Sequence, residues 1–262
     1  MKRIGGRHVL GAANALIYLY LLAPILIVIP VSFSAAAFVV FPPRGFSLRW
    51  YVNFFQSREL TEAFELSLRL AVTVTLTATI AGTLAALALV RYRLPGRELI
   101  RTGLMAPVVL PGVVLGIALL IFLNRTPLAL SFGGLFAAHL VVTLPYVIRT
   151  VSATLEGLDR RVEEAGASLG APPITLFWTV TLPLIKPGVI AGAIFAFITS
   201  FDELVVSLFL TGPRLSTLPV QIYNYIEFAS DPTIAAISVL LIVFTTGVVL
   251  LVERVVGFTR FV

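Results

Sequence analysis

Apolar residues in this chain come in runs of about 20, separated by short polar stretches, and do not alternate with polar ones as in a half-buried strand. Six runs stand out, at 14–36, 64–90, 102–124, 132–149, 188–210 and 234–252. Each is about the length an α-helix needs to cross the hydrocarbon core of a bilayer. The pattern predicts an all-α polytopic membrane protein with six transmembrane helices. The first run follows Met1-Lys2-Arg3 and is longer than a signal-peptide core, with no clean small-residue cleavage site after it, so it reads as a retained helix.

Composition agrees with this. Of 262 residues, 58% are hydrophobic and only 12% charged, where a soluble domain carries roughly 25% charge. The apolar content excludes a disordered chain, and the absence of cysteine excludes a disulfide scaffold. A net charge of +6 raises the question of nucleic acid. The cations answer it by their placement. Thirteen of the nineteen fall on one side of the predicted spans: Lys2, Arg3, Arg7; Arg91, Arg93, Arg97, Arg101; Arg149, Arg160, Arg161, Lys186; and Arg254, Arg260. Arg44, Arg49, Arg58, Arg125 and Arg214 fall on the other, and Arg69 lies within a span. Such a bias in short loops marks the cytoplasmic side and predicts that both termini are cytoplasmic. Cations dispersed over four segments beside apolar spans do not form a nucleic-acid face.

Ionisable groups within spans are candidates for function because burying charge in lipid is costly. Asp202 and Glu203 stand together in the fifth run, read as adjacent helical positions about 100° apart, with Phe201 beside them. They are read either as a negative site on a cation's route or as structural partners of Arg69 or Arg214. Arg69 follows Glu65 by four residues, a spacing that predicts a helical ion pair. His139 has no His or Cys partner at ligand spacing, so no metal site is expected. Thr73, Thr75, Thr77 and Thr79 suit helix packing. Pro107 and Pro111-Gly112 are expected to kink the third span. In the outer loop, residues 46–55 mix aromatic and polar side chains and read as an anchor or packing lid.

Residues 150–187 form the longest cytoplasmic connection. Asp159 is placed to cap a helix carrying Glu163 and Glu164, Gly170 to end it, and Pro172-Pro173 to open a second short helix running to Leu182-Pro183. A passive connector has no need of such structure.

The same segment carries a family resemblance. Glu164-Ala165-Gly166, three residues, Gly170, nine residues and then Val180-Thr181-Leu182-Pro183 resembles the pattern Glu-Ala-Ala-x3-Gly-x9-Ile-x-Leu-Pro of permease subunits in binding-protein-dependent, type I ABC importers. Gly166 stands for Ala and Val180 for Ile. The resemblance implies a permease core over 64–252 with the coupling loop at 150–187, preceded by an N-terminal segment 1–63 and followed by a cytoplasmic tail 253–262. It also implies an ATPase-coupling element of Glu163, Glu164, Ala165, Gly166, Gly170, Leu182 and Pro183, and a substrate pathway including Asp202, Glu203 and Phe201. The implied partners are a second permease, identical or, as polyamine-type systems imply, of different sequence, two ATP-binding subunits that hold ATP and Mg, and a periplasmic substrate-binding protein, all at a bacterial inner membrane. No cofactor or catalytic residue is expected on this chain, since no Gly-Lys-Ser/Thr phosphate loop is present.

A narrower resemblance is to polyamine importer permeases of the spermidine/putrescine type. It rests on Phe46-Ser47-Leu48-Arg49-Trp50-Tyr51, Ser200-Phe201-Asp202-Glu203, Phe209-Leu210-Thr211-Gly212-Pro213 and Thr217-Leu218-Pro219-Val220-Gln221-Ile222-Tyr223. Permeases for opines, other amines or iron are built similarly and remain open. A self-sufficient secondary transporter would leave the docking loop idle, and a membrane enzyme would need a constellation that two His and no Cys do not supply.

Overall fold

A computed structural model describes residues 6–212, 215–228 and 231–256. Lys2, Arg3, Pro213, Arg214, Arg260 and the end of the C-terminal tail lie outside the described residues. Apart from one isolated bridge between Gly212 and Leu215, every regular element described is helical. In order these are α1 (Gly6–Ser32), α2 (Arg49–Gln56), α3 (Arg58–Arg91), α4 (Arg97–Val109), α5 (Gly112–Leu123), α6 (Phe132–Glu156), α7 (Arg160–Ser168), α8 (Pro173–Leu176), α9 (Leu182–Phe201), α10 (Val205–Leu210), α11 (Leu218–Phe228) and α12 (Thr233–Val256), with a π-turn at Phe177–Thr181 joining α8 to α9. Five segments are long and apolar enough to span a membrane, and the bent pair α4 and α5 makes a sixth.

Three of the predicted spans are redrawn. The third is a broken helix: α4 and α5 meet at 109° across Leu110-Pro111. Pro111 drives the residue before it out of the helical region, and Leu110 accordingly has ψ 139°. Pro107, by contrast, sits inside α4 without ending it. The fourth continues two turns past Arg149 to Glu156, since no breaker occurs before Gly157 and Thr150 and Thr154 donate to carbonyls of the preceding turn. The fifth begins earlier and ends earlier than its apolar run. The short helix expected to stop near Leu182-Pro183 runs through the π-turn into α9, which ends at Phe201, so Asp202 and Glu203 lie in a break and not in mid-helix. A π-turn's extra residue accommodates the missing N–H of Pro183.

The chain divides into two compact units, 1–61 with 222–252 and 62–221 with 253–262. In the first, α2 folds as a lid through a polar and aromatic set. The Trp50 indole donates to Ser34 O at 2.8 Å, the Tyr51 hydroxyl meets Ser32 Oγ at 2.7 Å, and the Phe33 and Phe46 rings stack 5.2 Å apart. Asn53 Nδ2 donates to Thr233 Oγ1 at 2.9 Å, tying the lid to α12.

In the second unit α9 packs along α6. Lipid is as apolar as a leucine side chain, so burial alone does not drive two membrane helices together; close backbone approach does. Gly188, Gly192 and Ala196 recur every four residues on the α6-facing side of α9 and are buried. A Cβ on Gly192 would meet Thr150 Oγ1 at 2.7 Å and Val147 Cα at 3.0 Å, and one on Gly188 would run into Thr154 Oγ1 and Thr150 O. Ile148, Val151, Leu155 and Ile185 close the core around this seam.

Candidate functional site

The segment 159–183 builds a small helical platform whose local geometry follows from its sequence. Asp159 Oδ1 accepts from Arg161 N at 3.0 Å and starts α7. Gly170, at φ +83°, ends it, with Gly170 N donating to Ala167 O at 2.9 Å and Ala171 N to Gly166 O at 3.3 Å, the paired bonds of a Schellman turn. The chain then folds α8 back over α7 at Gly166, where a Cβ would lie 2.6 Å from Leu176 Cδ1. Glycine in place of the family's alanine therefore matches a close approach. Ala165 is exposed, Leu182 is half-buried and Pro183 is exposed at the start of α9.

Glu163 and Glu164 are adjacent on α7 and point apart. The Glu163 carboxylate turns inward: Oε2 lies 3.0 Å from Arg91 Nε at the end of α3, and Oε1 accepts from the Thr181 hydroxyl at 2.8 Å. The paired side chains are 14% and 17% exposed, dry enough for the ion pair to hold α7 in place. Arg160 Nη2 adds a bond to Arg91 O at 3.1 Å. Glu164 faces outward and its carboxylate has no partner among the described residues. Elsewhere on the platform Leu169, Ile174 and Trp178 are exposed apolar side chains, at 90%, 75% and 62%.

At the other end of α9 the second acidic pair is also divided. Glu203 Oε1 accepts from Val206 N at 3.0 Å, and Glu203 O accepts from the Ser207 hydroxyl at 2.7 Å, so this residue anchors the first turn of α10. Asp202 is exposed, with no side-chain partner among the described residues. Phe201 is buried and stacks on Phe197 at 5.8 Å, with Phe64 edge-on at 6.0 Å, which gives its ring a packing role. The ion pairs expected of Arg69 do not form among the described residues. Its guanidinium instead lies 4.4 Å from the centroid of Phe132, within reach of the negative ring face.

His139, left without a role by its sequence neighbourhood, ties this break together. It is 1% exposed, with Nδ1 3.0 Å from Ser200 Oγ and Nε2 3.0 Å from Ser207 Oγ. The single Ser207 proton is already directed to Glu203 O, so Ser207 accepts from Nε2–H and Ser200 donates to Nδ1. The network joins α6, α9 and α10 through a neutral imidazole with both nitrogens satisfied. No group of His, Cys, Asp or Glu among the described residues is arranged to hold a metal. On α3, Thr73 and Thr77 bond the preceding turn, whereas the buried hydroxyls of Thr75, Thr79 and Thr83 have no partner among the described residues.

Arg91, Thr181 and the His139–Ser200–Ser207 set were not singled out from the sequence, because their partners are 18 to 72 positions away. Only the Gly188-x3-Gly192-x3-Ala196 spacing offered a local signal.

The described residues thus form a helical chain with five or six candidate membrane spans and an anchored, exposed helical platform. Residues 78–259 match the family described as binding-protein-dependent transport system inner membrane component, and the chain belongs to that family, the permease subunits of ABC importers. It is thus a multi-pass membrane protein and a transport component, with ATP hydrolysis carried by separate subunits of such systems. It is 35% identical over 245 residues to the spermidine/putrescine transport system permease protein PotC of Escherichia coli K12, covering 94% of this chain and 92% of that one. It is 33% identical to the putrescine transport system permease protein PotI of the same organism, over 86% and 82% of the two chains. Among solved structures, a bacterial ABC transporter that imports the acidic polysaccharide alginate shares the fold, with a TM-score of 0.74 and 19% identity over 100% of this chain and 99% of that one.

Proposed function

We propose that this chain is one of two non-identical permeases of an importer that receives a polyamine, of the spermidine or putrescine kind, from a periplasmic substrate-binding protein and passes it to the cytoplasm by alternating access. The permease core spans 64–252, with the loop 150–187 and both termini, including the tail 253–262, in the cytoplasm. Two ATP-binding subunits hold the ATP and Mg; α7, with Glu164 outward, seats in a groove on one of them, and Gly166, Gly170, Leu182 and Pro183 fix its shape.

The observation that carries this reading is the mount of α7. Arg91, Glu163 and Thr181 link it to α3 and to the turn leading into α9, so a force on the platform reaches two spanning helices directly. Nucleotide need only favour one arrangement of these helices over another for transport to follow. The cytoplasmic assignment is supported by Arg91, Arg93, Arg97 and Arg101, which flank the end of α3 and the start of α4 where α7 is tied. The polyamine assignment is supported by the likeness to PotC along nearly the whole chain and by the carboxylate of Asp202 at the α9–α10 break, which has no partner among the described residues, with Glu203 and Phe201 shaping that break.

Uptake of radiolabelled spermidine into cells expressing this chain with its partner subunits tests the reading. Saturable, ATP-dependent uptake that unlabelled putrescine inhibits is expected. Uptake without the ATP-binding subunits would overturn the importer reading, and ATP-dependent uptake of an anion in place of polyamine would overturn the substrate.

A further inference from the structure

A cavity of about 440 Å³ opens between the end of α3, the length of α4 and the second half of α6, a volume typical of ligand sites. Its polar end carries Arg97 and Arg101, one turn apart on α4, and Arg149 of α6, against a single carboxylate, Glu156. That carboxylate does not neutralise them. Glu156 Oε1 lies 3.8 Å from Arg101 Nη1, both side chains are 46% exposed, and a pair so loose and wet contributes little. The Nε of Arg97 is buried with no hydrogen-bond partner among the described residues. Arg149 lies two turns before the end of α6, where the apolar run gives way to polar residues, and its exposed guanidinium has no partner among the described residues. From Met105 to Val109 the α4 wall turns apolar, and Val109 is 82% exposed.

We propose that this cavity holds the headgroup of an anionic phospholipid, its phosphate between Arg97, Arg101 and Arg149 and an acyl chain along Met105, Val108 and Val109. The guanidinium fork matches phosphate in geometry as well as charge, and basic pockets between membrane helices hold acidic headgroups. The apolar wall selects a lipid over a free anion, which has no use for it. The three cations also repel a polyamine, so this cavity and the route proposed for the cargo are separate sites. The inference does not depend on the cargo: a failed uptake experiment leaves it standing, and its own failure leaves uptake standing.

The test is native mass spectrometry and thermal unfolding of the full-length chain in neutral detergent, titrated with phosphatidylglycerol or phosphatidylcholine. Phosphatidylglycerol should be retained and should raise the melting temperature, and phosphatidylcholine should do neither. Each Arg→Gln change at positions 97, 101 and 149 should weaken retention about fivefold, from the interaction of one cation with an acidic membrane surface. Val109→Trp, which fills the apolar wall and leaves all three arginines, should also abolish retention, and it carries the test should the charge variants fail to insert. Equal retention of the two lipids, or wild-type retention by Val109→Trp, overturns the proposal. Full competition by glycerol phosphate would make this a free-anion site, and a photocrosslink from a benzophenone side chain placed at position 109 to a neighbouring permease in membranes would show a protein there; either result overturns it too.

Discussion

Glu163-Glu164 on α7 and Asp202-Glu203 at the break after α9 are both adjacent acidic pairs, and in each one carboxylate is engaged by the fold while its neighbour has no partner among the described residues. On α7 the division comes from helix geometry. Neighbouring positions point about 100° apart, so Glu163 reaches Arg91 and Thr181 while Glu164 faces out. At the break no helix imposes the separation. Glu203 accepts from the Val206 N–H at the start of α10, and Asp202 is left at the end of α9. The first engaged carboxylate balances a charge and the second satisfies a helix end, so the two should differ in what their removal costs. The other two carboxylates, Glu164 and Asp202, have in common that no contact among the described residues depends on them.

Reversing Glu164 should have the largest effect. If α7 docks on an ATP-binding subunit as proposed, Glu164→Lys places a cation at that contact, and a like-charge or unpaired contact at an interface costs several kcal/mol, so uptake should fall by more than about tenfold. Membrane insertion and thermal stability should be unchanged. Normal uptake and normal transport-coupled ATPase activity in this variant would break the comparison on its α7 side.

Glu163→Gln comes next, and its effect should appear in stability. It removes the countercharge of a partly buried Arg91, and unfolding in detergent should register a loss of about 2 kcal/mol. Glu164→Gln should stay within about 0.5 kcal/mol, as for an exposed position. Equal losses in the two variants would mean that the inward and outward carboxylates are not different in kind.

At the break the engaged residue should cost less. Glu203→Ala removes a helix-end acceptor and no countercharge, which is worth about 1 kcal/mol. Because the Ser207 hydroxyl still donates to the backbone O of residue 203, the His139 network should survive the change. His139→Ala should be worse, roughly 2 kcal/mol, because it empties a buried site and leaves two serines without their shared partner.

How much of this could be read beforehand depends on the range of each interaction. The α7 unit was legible because its determinants are local: Asp159 at the cap, Gly170 at the left-handed end and Pro173 at the next start all act within a turn of where they stand. The spanning helices were legible as apolar runs, but not where they end. Residues 188–210 read as one span because Val205–Leu210 is as apolar as α9, although the helix breaks at Asp202. Pro111 announced a kink in the third span, and its size, 109°, is set by packing that hydropathy does not encode. Arg69 was assigned to Glu65 by spacing, and an aromatic ring 63 positions away took its place. The duties of Glu163 and Glu203 were hidden for the same reason: Arg91 and Thr181 are remote in sequence, and the need for a helix-end acceptor exists only once α9 has stopped.

Asp202→Asn should have the smallest effect on the fold and is the sharpest test of the break. The side chain is exposed and has no partner among the described residues, so stability should stay within about 0.5 kcal/mol. If its charge meets a passing cation in water-like surroundings, the interaction at about 4 Å is worth about 1 kcal/mol, which converts to roughly a fivefold loss in spermidine uptake. The loss should shrink as ionic strength rises, since an exposed charge is screened. Glu203→Gln keeps an acceptor for Val206 N–H and serves as the control, with stability and uptake near those of the unmodified chain. Unchanged uptake in Asp202→Asn, at normal expression, would leave that carboxylate with nothing to do beyond solvating the end of α9. The two bare acids would then no longer be alike, because only Glu164 would have a partner to meet.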